Sequence, residues 1–343
     1  MKVHLLSQYI WPDGSPTCIY TENLAEDLAD QGLQVVFVGG KGRFRASSRA
    51  KPDNVQIHEL NSLVLTRGNL LSIFCEYLSY IWYAARYLRA RVDKTDAVIV
   101  TSAPFFSLIL RYFIPSGALK IYWLFDYFPP ALSIIFRLPL LIKRVADSLW
   151  SYELSKWDRV IKIAGNLGYH GDNQIVQRLW PTIHISEGVI EESDDTAKSA
   201  LYAGNLSLIH DVPMLVQKCR ELRDNGYRIL FSADGPGVKK LPEWIEKRST
   251  GIDDLRFAKL LAEHSIHLIV GTPRLEDYCF PSKIWNSLAV NRKVVACAMS
   301  KEMLREFEEC LASPFREHRG SMLRVVLDLL EKDKDFKAHR QSV

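Results

Sequence analysis

Residues 1–40 read MKVHLLSQYI WPDGSPTCIY TENLAEDLAD QGLQVVFVGG, and this stretch decides the fold class. Val3–Leu6 is a short apolar run, followed by the turn-rich segment Trp11-Pro12-Asp13-Gly14-Ser15-Pro16. Residues 20–31 place Leu24, Ala25, Leu28 and Ala29 on one helical face. Gly32 stands at the helix stop, and Gln34–Val38 is a β-branched run closed by Gly39 and Gly40. Strand, loop, helix and strand in this order make a βαβ unit, whose two strands are parallel neighbours.

The alternation continues outward from there. Ala97–Thr101, Lys120–Leu124 and Asp158–Ile163 read as strands, and residues 69–91 as a long amphipathic helix ending in Arg86, Arg89 and Arg91. After Pro181 the pattern fades into the polar, acidic stretch Glu187–Ser199. It then restarts: strands at Ala200–Ala203, Arg228–Ser232, His267–Val270 and Lys293–Cys297, and helices at 211–224, 252–263 and 282–290. Residues 320–335 read as a closing amphipathic helix. The predicted architecture is α/β, with two Rossmann-like, doubly wound parallel-sheet domains facing a cleft. The domains span 1–186 and 200–320, joined by a linker at 187–199, with 321–343 as a C-terminal helix and tail.

Composition agrees with this reading. The 343 residues are enough for two medium domains, and 48% apolar with 24% charged residues is an ordinary globular balance. A net charge of +4 is too small to support nucleic-acid binding. It is uneven, however: residues 1–180 hold 20 basic and 15 acidic side chains. The six cysteines show no CxxC or metal-ligand spacing, so reduced thiols in a cytoplasmic protein are expected. Met1–Ile10 is too short an apolar run for a leader. The apolar regions 69–88 and 102–142 are broken by Glu76, Arg86, Arg111, Lys120, Asp126 and Arg137, which argues against a spanning helix. Residues 69–91 and 104–144 nevertheless combine aromatic and basic side chains. That suits peripheral contact with an anionic membrane, the other reading being a core with solvated ends.

In open parallel sheets ligands bind beyond the carboxyl ends of the strands, so the loops there carry most weight. Gly14 and Ser15 follow the first strand and precede a helix start, an arrangement that favours an anion; the alternative is a tight turn. Asp126 ends the apolar strand of Lys120–Leu124, where burial would raise its pKa and fit it for proton transfer. It would equally bond a substrate hydroxyl, cap a helix or partner an arginine. Gly204 and Asn205, directly after a strand, open a candidate ligand-facing turn running to His210 and Asp211, the latter alternatively a simple cap for the next helix. Finally, Phe280-Pro281-Ser282-Lys283-Ile284-Trp285-Asn286 places Ser282 and Lys283 in a predicted first helical turn behind Pro281. A cation there opposes the helix dipole, a conflict that a bound anion would relieve; the alternative is a solvated surface lysine. Asn286 follows one turn on.

Taken together, the Gly-containing first loop, the Asp126 segment, YAGNLSLIHD (202–211 with Leu201 before it), ADGPG (233–237) and FPSKIWNSLAVNRKVVA (280–296) resemble the glycosyltransferase family 4 group with the GT-B fold. Within it they resemble the bacterial exopolysaccharide and lipopolysaccharide branch. The resemblance implies a metal-independent, retaining transfer from a nucleotide-diphosphate sugar to a glycan or lipid-linked acceptor, with no cofactor beyond that donor. It implies Gly14 and Ser15 near the donor phosphates, and Asp234, Gly235 and Gly237 lining the nucleobase through backbone groups. Ser282 and Lys283 would lie at the diphosphate, Asn286 at the ribose and Asp126 near the transferred sugar. Lysine and helix N-termini would stabilise the departing diphosphate. Two departures stand out. The family's usual Arg and Lys after the first strand of the second domain read Asn205 and His210. The E-x7-E pair is absent, Asn286 and Tyr278 standing at the relevant positions. They motivate a second hypothesis, a non-catalytic GT-B-like subunit that partners an active transferase.

Overall fold

The computed structural model describes all residues except 43–49, 66–69, 105, 129–136, 184–197, 208, 249–253, 273–274 and 342–343. The chain divides into two compact units, Met1–Arg178 with Glu317–Val343, and Leu179–Arg316. The sequence reading drew its boundaries at 186, 200 and 320; most of its linker lies outside the described residues.

The first unit contains β1 (Lys2–Tyr9), α1 (Pro16–Asp30), β2 (Gln34–Gly40), β3 (Gln56–Leu60), α2 (Leu70–Arg91), β4 (Ala97–Thr101), β5 (Leu119–Leu124), α3 (Leu140–Leu154), β6 (Arg159–Lys162) and β7 (Gln174–Val176). Its seven strands form one parallel sheet in the order β3-β2-β1-β4-β5-β6-β7. All five residues of β4 are buried, as in a strand covered on both faces, which explains why the central strands read as unbroken apolar runs. Helix α1 begins four residues before the sequence reading put it. Pro16 occupies its first turn, where the missing N–H costs nothing.

Lys162 is a buried exception in this sheet. Its ammonium donates to the carbonyls of Gly165, Leu167 and Tyr169 at 3.1, 2.7 and 2.7 Å, tying the segment after β6 to the strand. The edge strand β7 is three residues long, too short to announce itself by periodicity.

The second unit contains β8 (Ser199–Asn205), α4 (Val212–Asp224), β9 (Arg228–Asp234), β10 (Glu246–Arg248), α5 (Asp254–Ala262), β11 (Ile266–Val270), α6 (Ile284–Ala289), β12 (Lys293–Cys297) and α7 (Lys301–Ala312). The sheet is again parallel, in the order β10-β9-β8-β11-β12. Tyr202, Phe231, Leu268 and Leu215 pack in its core. Asp211 caps α4 by accepting from the Met214 N–H at 3.1 Å, as its type and place in the sequence propose. The polar strand β10 (Glu-Lys-Arg) is held at the sheet edge by its pairing with β9, a position that tolerates solvated side chains.

The last helix, α8 (His318–Gln341), belongs to the first unit. Arg319 binds Asp27 of α1 through two charge-assisted hydrogen bonds, 2.8 and 2.7 Å.

Candidate functional site

Strand order reverses between β1 and β4 in the first unit and between β8 and β11 in the second. Side chains gathered beyond the carboxyl ends of these strands are the candidates.

In the second unit β8 ends at Gly204 and Asn205, and Lys283 crosses to meet it. The lysine Nζ donates to the Tyr202 hydroxyl at 2.5 Å and to the Asn205 carbonyl at 2.8 Å. It also lies 4.2 Å from the centre of the Tyr202 ring. The Tyr202 hydroxyl in turn donates to the same Asn205 carbonyl at 2.9 Å. Gly204, at φ +106°, makes this approach feasible, because a Cβ there would stand 3.0 Å from the lysine Cε. No carboxylate lies within ion-pair distance of Lys283 among the described residues. Burial lowers its ammonium to about 7. His210 stands in the same loop. Its Nδ1 accepts from the Ser207 N–H at 3.0 Å, and burial, with Lys283 beside it, lowers it to about 4. The imidazole is therefore neutral near pH 7.

The helix after Lys283 differs from the sequence reading. Helix α6 starts at Ile284 and has six residues. Pro281, Ser282 and Lys283 form the turn leading into it, with Lys283 at the cap position in a helical conformation. The lysine therefore sits one residue ahead of the first helical turn, and its ammonium is held by β8 rather than by the helix start. Ser282 is half-buried in that turn, and its carbonyl accepts from the Trp285 N–H at 3.3 Å. Asn286, expected beside Lys283, is committed elsewhere. Its Oδ1 accepts from the Thr182 N–H at 2.8 Å, and its Nδ2 donates to the Thr182 hydroxyl at 3.0 Å.

The ADGPG turn packs against β8's loop. Leu206 N–H donates to the Asp234 carbonyl at 2.7 Å and Gly237 N–H to the Leu206 carbonyl at 2.8 Å. Gly235, at φ +102°, would bring a Cβ within 2.7 Å of that same Leu206 carbonyl. The Asp234 carboxylate remains exposed. Gly235 and Gly237 thus serve close backbone packing, and the Gly237 N–H is already used.

In the first unit Asp126 follows β5 by two residues. Its N–H and that of Phe125 both donate to the Ser102 hydroxyl, at 3.2 and 2.9 Å, so the loop after β4 fixes the backbone that presents it. Burial raises the Asp126 carboxyl to about 6. Gly14 and Ser15 lie between β1 and α1. The Ser15 N–H donates to Asp13 Oδ1 at 2.8 Å, and the Ser15 side chain makes no capping bond to α1.

Two groups escaped the sequence reading. Tyr202 looked like one more apolar strand residue, yet its ring and hydroxyl hold Lys283. Glu76, noted only as a charge interrupting an apolar helix, is buried at the carboxyl end of β1. There it accepts from the Tyr9 hydroxyl at 2.6 Å, Gln8 Nε2 at 3.2 Å and the Leu65 N–H at 3.3 Å. A carboxylate inside an apolar helix was the available signal.

No protein-family model matches the chain, and no curated protein matches it in sequence. Solved structures do. Sucrose-phosphate synthase from Thermosynechococcus elongatus aligns over the whole of both chains, with 12% identity and a TM-score of 0.62. WaaG, a glycosyltransferase involved in lipopolysaccharide biosynthesis, aligns over 97% of this chain and 99% of its own, with 13% identity and a TM-score of 0.54. Medicago truncatula UGT71G1, solved with UDP-glucose, aligns over 86% and 80%, with 10% identity and a TM-score of 0.50. At these identities the likeness is one of architecture: two parallel-sheet units, of seven and five strands, give this chain the GT-B fold, as the two doubly wound domains read from the sequence predicted.

Proposed function

We propose that the protein is a glycosyltransferase that moves a sugar from a nucleotide-diphosphate sugar to a glycan or lipid-linked acceptor in surface-polysaccharide assembly. In this reading transfer retains the anomeric configuration and needs no metal. The observation that carries it is Lys283: an ammonium without a carboxylate partner among the described residues, half-buried at the carboxyl end of the strand where the second sheet reverses. A diphosphate there would gain a full charge–charge interaction, and it would gain more as the leaving group's charge grows. The fold supports the reading, since two of the proteins that share it carry glycosyltransferase or UDP-glucose in their descriptions.

Each unit supplies its own part. In the second, Lys283 and Ser282 hold the diphosphate, and the loops of Gly204–Asn205 and Asp234–Gly237 border the nucleoside. In the first, Asp126 is the group proposed to take or share a proton, and Gly14 and Ser15, at the start of α1, are the residues proposed to face an anion. Asn286 acts through Thr182, by fixing the segment before the second unit's first strand, instead of contacting the ribose.

The test is a thermal-shift panel of nucleoside diphosphates and their sugars. At least one is expected to raise the melting temperature, because a ligand that binds only the native state stabilises it. Lys283→Ala is expected to remove the shift while leaving the ligand-free melt within a few degrees. No shift with any member of the panel at millimolar concentration would overturn the proposal. With a turnover substrate in hand, the anomer formed and the effect of a chelator test the retaining and metal-free parts.

A second reading has its own support. The neutral Asn205 and His210, together with the engagement of Asn286, leave fewer groups for a donor than the resemblance implies. A non-catalytic subunit would neither bind nor hydrolyse the donor and would co-purify with an active transferase.

A further inference from the structure

Helix α3 is inside out. Of its fifteen residues only Leu154 is buried, while Leu141, Val145, Leu149 and Tyr152, spaced as one helical face, all point to solvent. Leu141 is 72% exposed. Helix α2 buries Tyr80, Ala84 and Leu88 on one side. On the other it carries a second stripe, Leu71, Phe74, Leu78 and Trp82, of which Leu71 is 68% and Trp82 62% exposed. That stripe runs directly into the exposed Arg86 and Arg89. The two helices border one face, since Phe106 lies between them with ring-to-ring distances of 6.2 Å to both Phe74 and Trp150. Beside Trp82 a groove of about 550 Å³ has an apolar floor, including Phe113, and Arg86 and Arg89 on its wall.

A water-exposed apolar surface of this extent marks a binding face. Its charge says what it fits. Across α2, the 3₁₀ turn Ser107–Phe113, and residues 137–154 there are seven basic side chains and three acidic ones. Glu76 is buried, Asp147 is paired with Lys143 at 3.4 Å, and Glu153 is paired with Arg111 at 2.9 Å. The outward charge is therefore positive and sits on a surface of Leu, Val and Trp, with Tyr112 and Tyr152 among it. Apolar side chains that enter the acyl boundary, with aromatic and guanidinium groups at headgroup level, are the chemistry of an interfacial helix on an anionic bilayer. No helix among the described residues is long and apolar enough to cross one.

We propose that the α2–α3 face docks the protein on an anionic lipid surface, with α3 lying in the interface and Arg86 and Arg144 reading the headgroups. The proposal does not depend on sugar transfer or on Lys283.

The test is flotation of the full chain, without nucleotide, with vesicles of phosphatidylcholine alone or with 30% phosphatidylglycerol. Binding is expected on the anionic vesicles only and is expected to weaken with salt. Arg86→Gln with Arg144→Gln should lower the partition coefficient about tenfold or more, since each basic group near the surface contributes. Leu141→Gln with Val145→Gln should lower it independently. All four positions are exposed, so circular dichroism and the melting temperature should hold. Three results would overturn the proposal: no binding to anionic vesicles, equal binding to neutral ones, or a concentration-dependent dimer, abolished by Leu141→Gln with Val145→Gln, in place of lipid binding. The last would assign the face to a second copy of this chain.

Discussion

The position of Lys283 predicts how donor binding responds to pH. Its ammonium titrates near 7, lowered from the ordinary lysine value by burial. Only the protonated form attracts a diphosphate, so binding is full below pH 7 and is lost as pH rises. Between pH 6 and pH 9 the protonated fraction of such a group falls from about nine-tenths to about one-hundredth. The dissociation constant should then rise about 90-fold, about 2.7 kcal/mol, provided the bound ammonium stays charged. A nucleotide sugar is the right ligand, because its doubly esterified diphosphate does not titrate in this range. His210, at about 4, is neutral throughout and does not distort the profile. Isothermal titration calorimetry at four pH values measures the slope. Lys283→Arg is the control, since guanidinium stays charged and should flatten it. In the free protein the sign is opposite: the unfolded chain holds the lysine proton longer, so this group's contribution to stability grows as pH rises above 7. A flat wild-type profile, or an equal slope in Lys283→Arg, would refute the reasoning.

Three other outcomes follow from the geometry. Asp126, raised to about 6, should give the kcat/KM profile a limb near pH 6 that Asp126→Asn abolishes. The same substitution should raise the melting temperature at pH 7.5 but not at pH 4, because the buried charge exists only above its pKa. Gly204→Ala places a Cβ against the Lys283 Cε at a positive φ. It should cost about 1–3 kcal/mol in chemical denaturation and also weaken donor binding; no change in either would contradict the packing described. Lys162→Met strips three buried carbonyls of their donor and should destabilise the first unit by about 3 kcal/mol or more. A urea midpoint equal to wild type would show those carbonyls to be satisfied some other way.

Much of this molecule was legible in one dimension. The period of the apolar pattern is a local property, and it located β1, β4, β5, β8, β11 and β12 to within one to three residues at either end. The βαβ spacing forced parallel sheets. The Pro281-Ser282-Lys283 turn singled out residue 283, although its ammonium is held by β8 and not set against a helix start, and an acidic residue just after a strand singled out 126. The edge strands β3, β7 and β10 were not legible: each is short and half-solvated, so no period develops. Helix α3 was missed for a different reason. Its apolar stripe faces outward, and a stripe by itself does not say which side is the core.

What the chain settled alone was therefore the kind of elements, their order, and which loops follow the carboxyl ends of the strands. Only the folded structure decided partners. Lys283 finds Tyr202 from 81 residues away, and Asn286 is claimed by Thr182 across 104. Arg319 draws the last helix to Asp27 across 292. Periodicity acts over a few residues, whereas these contacts are set by sheet order and by which buried polar group must be satisfied, and neither is written in any single stretch of sequence.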